Sequence, residues 1–168
     1  VLPDCVTSIN NYAFNGCSSL KTLVVSESLR DLWPNSFTGI ANLEYTVEDG
    51  VRYLGSRTNP HFLLARTLDY EISKAVIHPD TKVIGYGAFR NCAALTDITI
   101  PEGVKVITNS AFSDCTSLNT LTIPSSVTYL SYAFAGGCDA LTTFEVQEGN
   151  AVYFSKGNCV IEKASGTL

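Results

Sequence analysis

The chain has no methionine, one tryptophan and two histidines, and only 16% of its 168 residues are charged. Because this charged fraction lies below the usual value of about 25%, it favours a large buried core and argues against disorder. The 11 lysines and arginines form no cluster and face 16 acidic residues, which gives a net charge of −5. Binding to a phosphate backbone needs clustered basic residues, so we expect no nucleic-acid partner.

The sequence also lacks a run of about 18 apolar residues, so we expect no insertion into a membrane. It begins at "VLPDCVTSI", which already belongs to the repeat described below and resembles no signal peptide. Together with the lack of methionine, this start indicates a fragment of a longer protein. The length suits one domain with a substantial core.

What the chain does contain is an internal repeat. The segment "AFRNCAALTDITIP" at 88–101 returns as "AFSDCTSLNTLTIP" at 111–124. Its leucines are 23 residues apart, except for a gap of 52 between Leu43 and Leu95. This period predicts about five stacked coils with ladders of equivalent side chains. The phenylalanine ladder comprises Phe14, Phe37, Phe89, Phe112 and Phe134.

Each coil has a strand signal and a turn signal. In "LNTLTI", Leu121 and Ile123 alternate with threonines, which predicts a half-buried strand that ends at Pro124. The short segment "YAFAGGC" predicts one turn of 3₁₀ or α helix. Stacking such coils would place the strands about 4.8 Å apart in a parallel sheet.

The combined pattern "IPxSVxxIxxxAFxxCxxLxxLxIP" resembles the BspA-like, or treponemal-type, leucine-rich repeats, most strongly over 1–44 and 77–146. The resemblance implies an α/β repeat solenoid, a right-handed superhelix with a concave parallel β-sheet. It also implies a non-enzymatic module of a cell-surface or secreted protein, often an adhesin. Its partner would be a protein or glycan, such as a host matrix component or another cell-surface protein. The alternative is a structural spacer that displays other domains.

An irregular, β-rich stretch over 45–76 interrupts the repeat. Asp49-Gly50 between apolar runs predicts a hairpin, and "HFLLAR" predicts a further strand. Asn59-Pro60 predicts a turn, for which a cis bond is one option. The segment 147–168 resembles this stretch and forms a truncated second copy, so we predict a single domain over 1–168. The cut end of the array is expected either to be poorly ordered or to associate with another surface.

Four cysteines occupy the same position of the coil: Cys17, Cys92, Cys115 and Cys138. Ile40 takes their place in the second coil, which indicates that the position needs a small apolar side chain. A disulfide is less favoured because stacked parallel side chains seldom reach its geometry, and no paired spacing suggests zinc. Cys5 and Cys159 are not assigned.

His61 and His78 have no partner pattern typical of catalysis, and no catalytic or phosphate-binding motif occurs. We therefore expect no enzyme activity, no cofactor and no metal. The acidic "VEDG" segment is more typical of a turn than of a calcium site.

Two sets of residues are candidates for contact with a partner. The outward face of the predicted sheet is rich in threonine, although threonine also simply keeps a sheet soluble. Residues of the types common in binding hot spots cluster around the irregular stretch, although they could also pack the longer coil. The first set includes Thr22, Thr99, Thr120, Thr122 and Glu145, and the second comprises Trp33, Tyr45, Arg52, Tyr53, Arg57 and Tyr70.

Overall fold

The computed structural model describes residues 1–166 as a stack of short strands and turns. Residues 167 and 168, at the end of the truncated copy predicted over 147–168, lie outside the described residues. The strands of the described chain are β1 (Ser8–Ile9), β2 (Asp31–Leu32), β3 (Thr46–Glu48), β4 (Val51–Leu54), β5 (Leu63–Thr67), β6 (Lys74–Val76), β7 (Val83–Ile84), β8 (Asp97–Thr99), β9 (Val106–Ile107), β10 (Thr120–Ile123), β11 (Tyr129–Leu130), β12 (Thr143–Val146), β13 (Tyr153–Lys156) and β14 (Cys159–Glu162).

The predicted strand is present in the later coils as a ladder of parallel pairs, whereas the segment 20–25 of the first coil forms no strand. β6 pairs with β8, and β10 pairs with β12 in register over four residues. Leu121 and Ile123 are buried, whereas Thr120 is exposed and Thr122 is half-buried, so the predicted alternation is confirmed. Within residues 1–166 the ladder consists of these two separate pairs and not of one continuous sheet.

A second ladder lies between the strands of the first ladder and the turn segments, where the sequence analysis predicted no strand. β7, β9 and β11 pair in parallel, as do β1 and β2. These strands are only two residues long, so they contain too few residues for alternation to be recognised. The three coils that contain β6 and β7, β8 and β9, and β10 and β11 therefore each have one short strand in each ladder.

The prediction of short helical turns is wrong, because no helix of any type forms within residues 1–166. Ser110 and Asp114 flank the Ala-Phe segment with φ of 56° and 61°. A helix needs consecutive right-handed residues, and only three residues remain between these two left-handed positions. Asn91, with φ of 66°, occupies the position of Asp114 in the preceding coil.

The turn segments bond to the next coil instead of forming a helix. The N–H of Phe89 donates to the carbonyl oxygen of Ala111 at 2.8 Å. The N–H of Phe112 likewise donates to the carbonyl oxygen of Phe134 at 2.8 Å. The turn segments thus form a third line of contact between coils, in addition to the two strand ladders.

The irregular stretch forms an elongated coil whose predicted hairpin is confirmed. β3 and β4 are antiparallel, and Asp49 and Gly50 between them have φ of 49° and 75°, as a type I′ turn requires. The predicted strand in "HFLLAR" is β5. No cis peptide bond occurs in residues 1–166, so the Asn59–Pro60 bond is trans.

The elongated coil joins its hairpin to the second ladder. β5 pairs antiparallel with β4 and parallel with β7, which gives a six-stranded sheet in the order β11-β9-β7-β5-β4-β3. Strand pairing therefore joins the elongated coil to the coils after it, whereas β1 and β2 before it form a separate two-stranded sheet.

The C-terminal stretch also ends in a hairpin, formed by β13 and β14. Tyr153 in β13 is buried, and its hydroxyl oxygen accepts the N–H of Leu130 at 3.0 Å. In the elongated coil, the hydroxyl of buried Tyr53 accepts the N–H of His78 at 3.2 Å. The likeness between the two stretches therefore extends to a buried tyrosine that satisfies a backbone N–H.

The phenylalanines form two stacked pairs and not one column of five rings. Phe14 lies over Phe37 with ring centroids 6.2 Å apart, and Phe89 lies over Phe112 at 5.8 Å. The elongated coil contributes no ring between these pairs, which separates them. Phe134 follows the same position, but it contacts Phe144 edge-on at 5.7 Å.

The cysteine position is apolar in the middle of the stack and open at its start. All six cysteines are free thiols. Cys92 and Cys115 are buried, as is Ile40, whereas Cys138 is half-buried. Cys17 is exposed, contrary to the prediction of a core thiol, because the coil containing it has a described neighbour on only one side.

Candidate functional site: a groove beside the elongated coil

The elongated coil has no turn segment like those of the regular coils. The turn segments before and after it, 33–38 and 86–91, therefore line a groove of about 520 Å³, together with residues of the elongated coil itself. This volume lies within the range of about 300–1,000 Å³ that is common for ligand pockets. The groove thus follows directly from the break in the repeat.

Aromatic side chains contribute to the lining of the groove. Trp33 directly follows β2 and remains 51% exposed. Tyr45 and Tyr86 also line the groove and are half-buried. An exposed tryptophan beside two tyrosines is typical of a surface that binds a partner.

An irregularity in strand pairing places two arginines side by side at the groove. Arg52 of β4 lies directly opposite Arg66 of β5, whereas the next residue, Tyr53, pairs with Leu64. Ala65 is therefore an extra residue, and such a bulge redirects the side chains beside it. Val51, Tyr53 and Leu64 are buried, while Arg52 is half-buried and Arg66 is exposed.

Each of these arginines lies over a tyrosine ring. The guanidinium carbon of Arg52 is 5.2 Å from the ring centroid of Tyr45, and that of Arg66 is 5.7 Å from the ring centroid of Tyr70. Within residues 1–166, no carboxylate lies within salt-bridge distance of either arginine. Burial raises the pKa of Tyr45, and the two arginine charges oppose that shift.

A third arginine lines the groove from the other side. Arg90 forms an ion pair with Asp114, with Nε and Oδ2 3.4 Å apart. Its Nη1 also donates to the hydroxyl oxygen of Tyr86 at 3.4 Å. The carboxylate of Asp114 therefore compensates the positive charge of Arg90, whereas no carboxylate of residues 1–166 compensates Arg52 or Arg66.

Three of the predicted contact residues line this groove, namely Trp33, Tyr45 and Arg52. Tyr70 lies beside it, through its contact with Arg66. Arg57 is exposed but does not line the groove.

The prediction that Tyr53 contacts a partner is wrong. Only 1% of its surface is exposed. It sits on the inner face of β4, where alternation places every second side chain in the core.

The threonine-rich set lies apart from the groove. Thr22 borders a second, shallower depression, and Thr99 and Thr120 are exposed. Thr122 is half-buried, and its hydroxyl donates to the carboxylate of Glu145 at 3.4 Å. Thr99, Thr120 and Thr122 lie on strands of the first ladder, as does Glu145.

Arg66, Tyr86 and Arg90 were not among the predicted contact residues. A signal for Tyr86 and Arg90 existed, since the gap of 52 residues between Leu43 and Leu95 shows that one turn segment is missing. No such signal existed for Arg66, because its position depends on the bulge at Ala65.

A histidine pair lies outside the groove, at the base of the β3–β4 hairpin. The rings of His61 and His78 are stacked with centroids 3.7 Å apart. His61 Nε2 lies 2.9 Å from Oε2 of Glu48, outside hydrogen-bond geometry, so the two form an ion pair only when the imidazole is protonated. Tyr53 packs edge-on against both rings.

Glu48, His61 and His78 could each offer a ligand atom to a metal, and these atoms lie within 4.8 Å of one another. Two features oppose shared coordination in this arrangement. The in-plane lone pairs of stacked rings run parallel and do not converge on one ion. In addition, His78 Nδ1 accepts the N–H of Asp80 at 3.2 Å, which fixes the proton of the neutral ring on Nε2. The cluster brings Glu48 of β3 together with His61 and His78, which precede β5 and β7.

No helix that could cross a lipid bilayer occurs in the described part of the chain. A search of the curated proteins found no match.

Solved structures of bacterial repeat proteins resemble the chain. The pneumococcal vaccine antigen PcpA is 20% identical with a TM-score of 0.50, covering 96% of this chain and 33% of that protein. The Treponema pallidum leucine-rich repeat protein TpLRR is 25% identical with a TM-score of 0.46, covering 89% of this chain and 67% of that protein. A leucine-rich repeat protein from Bacteroides ovatus is 22% identical with a TM-score of 0.43, covering 88% and 31%. The chain thus spans about a third of the length of the pneumococcal protein.

The model of one repeat family matches most of the chain. It covers residues 1–58 and 69–159 with six copies, one more than the five coils predicted from the sequence. The unmatched residues 59–68 include all of β5, with Ala65 and Arg66. Together with the two strand ladders, this match shows that the chain belongs to the BspA type leucine-rich repeat family.

Proposed function

We propose that the chain is a non-enzymatic protein-interaction module of a cell-surface or secreted protein, and that it binds its partner in the groove beside the elongated coil. The observation that carries the proposal is the exposed Trp33 in a concavity that also contains Tyr45, Arg52 and Tyr86. Trp, Tyr and Arg are the residue types that contribute most to binding energy at protein interfaces.

Membership of the family supports the surface location and a role in adhesion, since the resemblance seen in the sequence implies both. The elongated coil adds a feature specific to this chain. A spacer needs only the stacking of coils, whereas an exposed tryptophan in a groove adds nothing to that stacking. We therefore favour binding over a spacer role.

The experiment is a binding screen of the chain against immobilised matrix proteins, other cell-surface proteins and glycans. Trp33→Ser should abolish binding to the protein that the wild type retains. Tyr132→Ser is the matched control, because Tyr132 is 81% exposed and does not line the groove.

Each outcome of the screen is decisive. Loss of binding in the Trp33 variant alone supports the groove. Equal binding of both variants would place the interface elsewhere. No retained partner for the wild type would favour the spacer, and retention of glycans alone would contradict a protein partner.

A further inference from the structure

We propose that the groove recognises an acidic polypeptide segment, whose carboxylates pair with Arg52 and Arg66 while its apolar parts contact Trp33. This inference rests on the proposed function, because it names the chemical class of partner for the same groove.

Two like charges lie next to each other in the groove. Arg52 and Arg66 lie directly opposite each other across β4 and β5. Like charges in such cross-strand positions destabilise a sheet, and a protein of net charge −5 has acidic residues that could have compensated them. No carboxylate of residues 1–166 does so for either arginine. An uncompensated pair of cations that costs stability is typical of a functional site.

The charges that line the groove differ in sign from the net charge of the chain. The net charge of the chain is negative. Salt screens exposed charges beyond about 8 Å, so a ligand in the groove responds mainly to the charges that line it. Within the groove, the positive charges of Arg52 and Arg66 both oppose the rise in the pKa of Tyr45 that burial causes. The third arginine of the groove, Arg90, forms an ion pair with Asp114. The groove is therefore a positive site on an acidic protein.

The turn segment 33–38 forms one wall of the groove. In the coils after the elongated one, the N–H groups of Ser110 and Phe112 donate to carbonyl oxygens of the next coil, whereas those of Tyr12 and Phe14 in the first coil do not. Asn35 and Phe37 occupy the same positions, but the next coil has no turn segment here. Their N–H groups donate to no acceptor within residues 1–166. They add hydrogen-bond donors to a groove that already has the donors of Arg52 and Arg66.

These features favour a peptide over other anions. A guanidinium matches a carboxylate in bidentate geometry, so two arginines suit two side chains of an acidic segment. Free backbone N–H groups suit the carbonyl oxygens of an extended peptide. Arg66 also lies in the stretch 59–68, outside the residues that the family model matches.

The test measures the fluorescence anisotropy of labelled hexaglutamate titrated with the intact chain, with hexaglutamine and hexalysine as comparison peptides. We expect binding of hexaglutamate only, weakening as NaCl rises from about 50 to about 300 mM. Arg66→Gln and Arg52→Gln should each weaken binding at least about tenfold, as expected for loss of a charge-assisted pair.

The matched control is Arg57→Gln, which removes the same charge from an exposed arginine outside the groove. It should leave affinity within about twofold, since the charge it removes is screened. Equal losses in all three variants would show nonspecific attraction and overturn the proposal. Binding of heparin but not of hexaglutamate would replace the peptide with a sulfated glycan.

The two proposals can fail separately. If Trp33→Ser loses its partner in the screen while hexaglutamate does not bind, the groove stands as an interface and the acidic class is wrong. If hexaglutamate binds through Arg52 and Arg66 but Trp33→Ser keeps its partner, the anion site stands and the groove is not the main interface.

Discussion

At the scale of single residues, Phe112 shows what the repeat contributes to stability. It is fully buried and stacks on Phe89 with the ring planes 7° apart. Phe112→Ala should lower the free energy of unfolding by about 3–5 kcal/mol, because it removes a buried ring and leaves a cavity. Urea denaturation measures the loss. Phe154→Ala, at a ring that is 38% exposed, should cost less than about 1 kcal/mol. Similar losses in both variants would contradict a phenylalanine core.

The cysteines allow a second test at this scale. Burial, with a smaller effect of Asp69, raises the pKa of Cys92 to about 11. At pH 8 only about one Cys92 in a thousand is then a thiolate, which is the reactive form. Contact with Cys138 and burial also raise the pKa of Cys115.

Iodoacetamide should therefore modify Cys5, Cys17 and Cys159 of the native protein well before Cys92 and Cys115, as peptide mass spectrometry would show. After unfolding without reductant, every cysteine should react. Fast labelling of Cys115 in the native state would mean that the interior of the stack is open.

At the scale of elements, the first strand ladder was predictable because "LNTLTI" alternates and Pro124 stops the strand. The non-helical conformation of the turn segments was not predicted, although the sequence contained a signal for it. Asn91 and Asp114 follow the phenylalanine by two residues, and these residue types tolerate a left-handed backbone, which interrupts a helix. The groove could be placed only in outline, because the register of β4 and β5 decides which side chains line it.

The hairpin of the elongated coil depends on Gly50. Its φ of 75° strains any other residue, whereas a Cβ added there would meet nothing within 4 Å. Gly50→Ala should therefore cost about 1 kcal/mol from the backbone alone, measured by urea denaturation. Gly136→Ala is the control, since its Cβ would meet its nearest neighbour at an ordinary 3.8 Å and its φ lies outside the left-handed region. A neutral Gly50 variant would contradict the type I′ turn.

At the scale of the whole molecule, the elongated coil affects stacking and binding in opposite ways. The stack would be continuous if the elongated coil carried a turn segment, but the groove exists because it does not. Arg66→Gln removes a like-charge neighbour of Arg52 and, with it, a contact to Tyr70. We expect a free energy of unfolding unchanged within about 0.5 kcal/mol, or slightly raised, even though peptide binding falls. A loss above about 1 kcal/mol would instead show that Arg66 is a structural residue.

The central claim is that the break in the repeat creates the binding surface, and Trp33 reports on it directly because it is the single tryptophan of the chain. The measurement is quenching of Trp33 fluorescence by acrylamide, a neutral quencher, with and without saturating hexaglutamate. Trp33 is half exposed in the free groove, so a bound peptide should shield it and lower the quenching constant. An unchanged quenching constant, at a concentration where anisotropy shows the peptide fully bound, would place the site outside the groove and contradict the account.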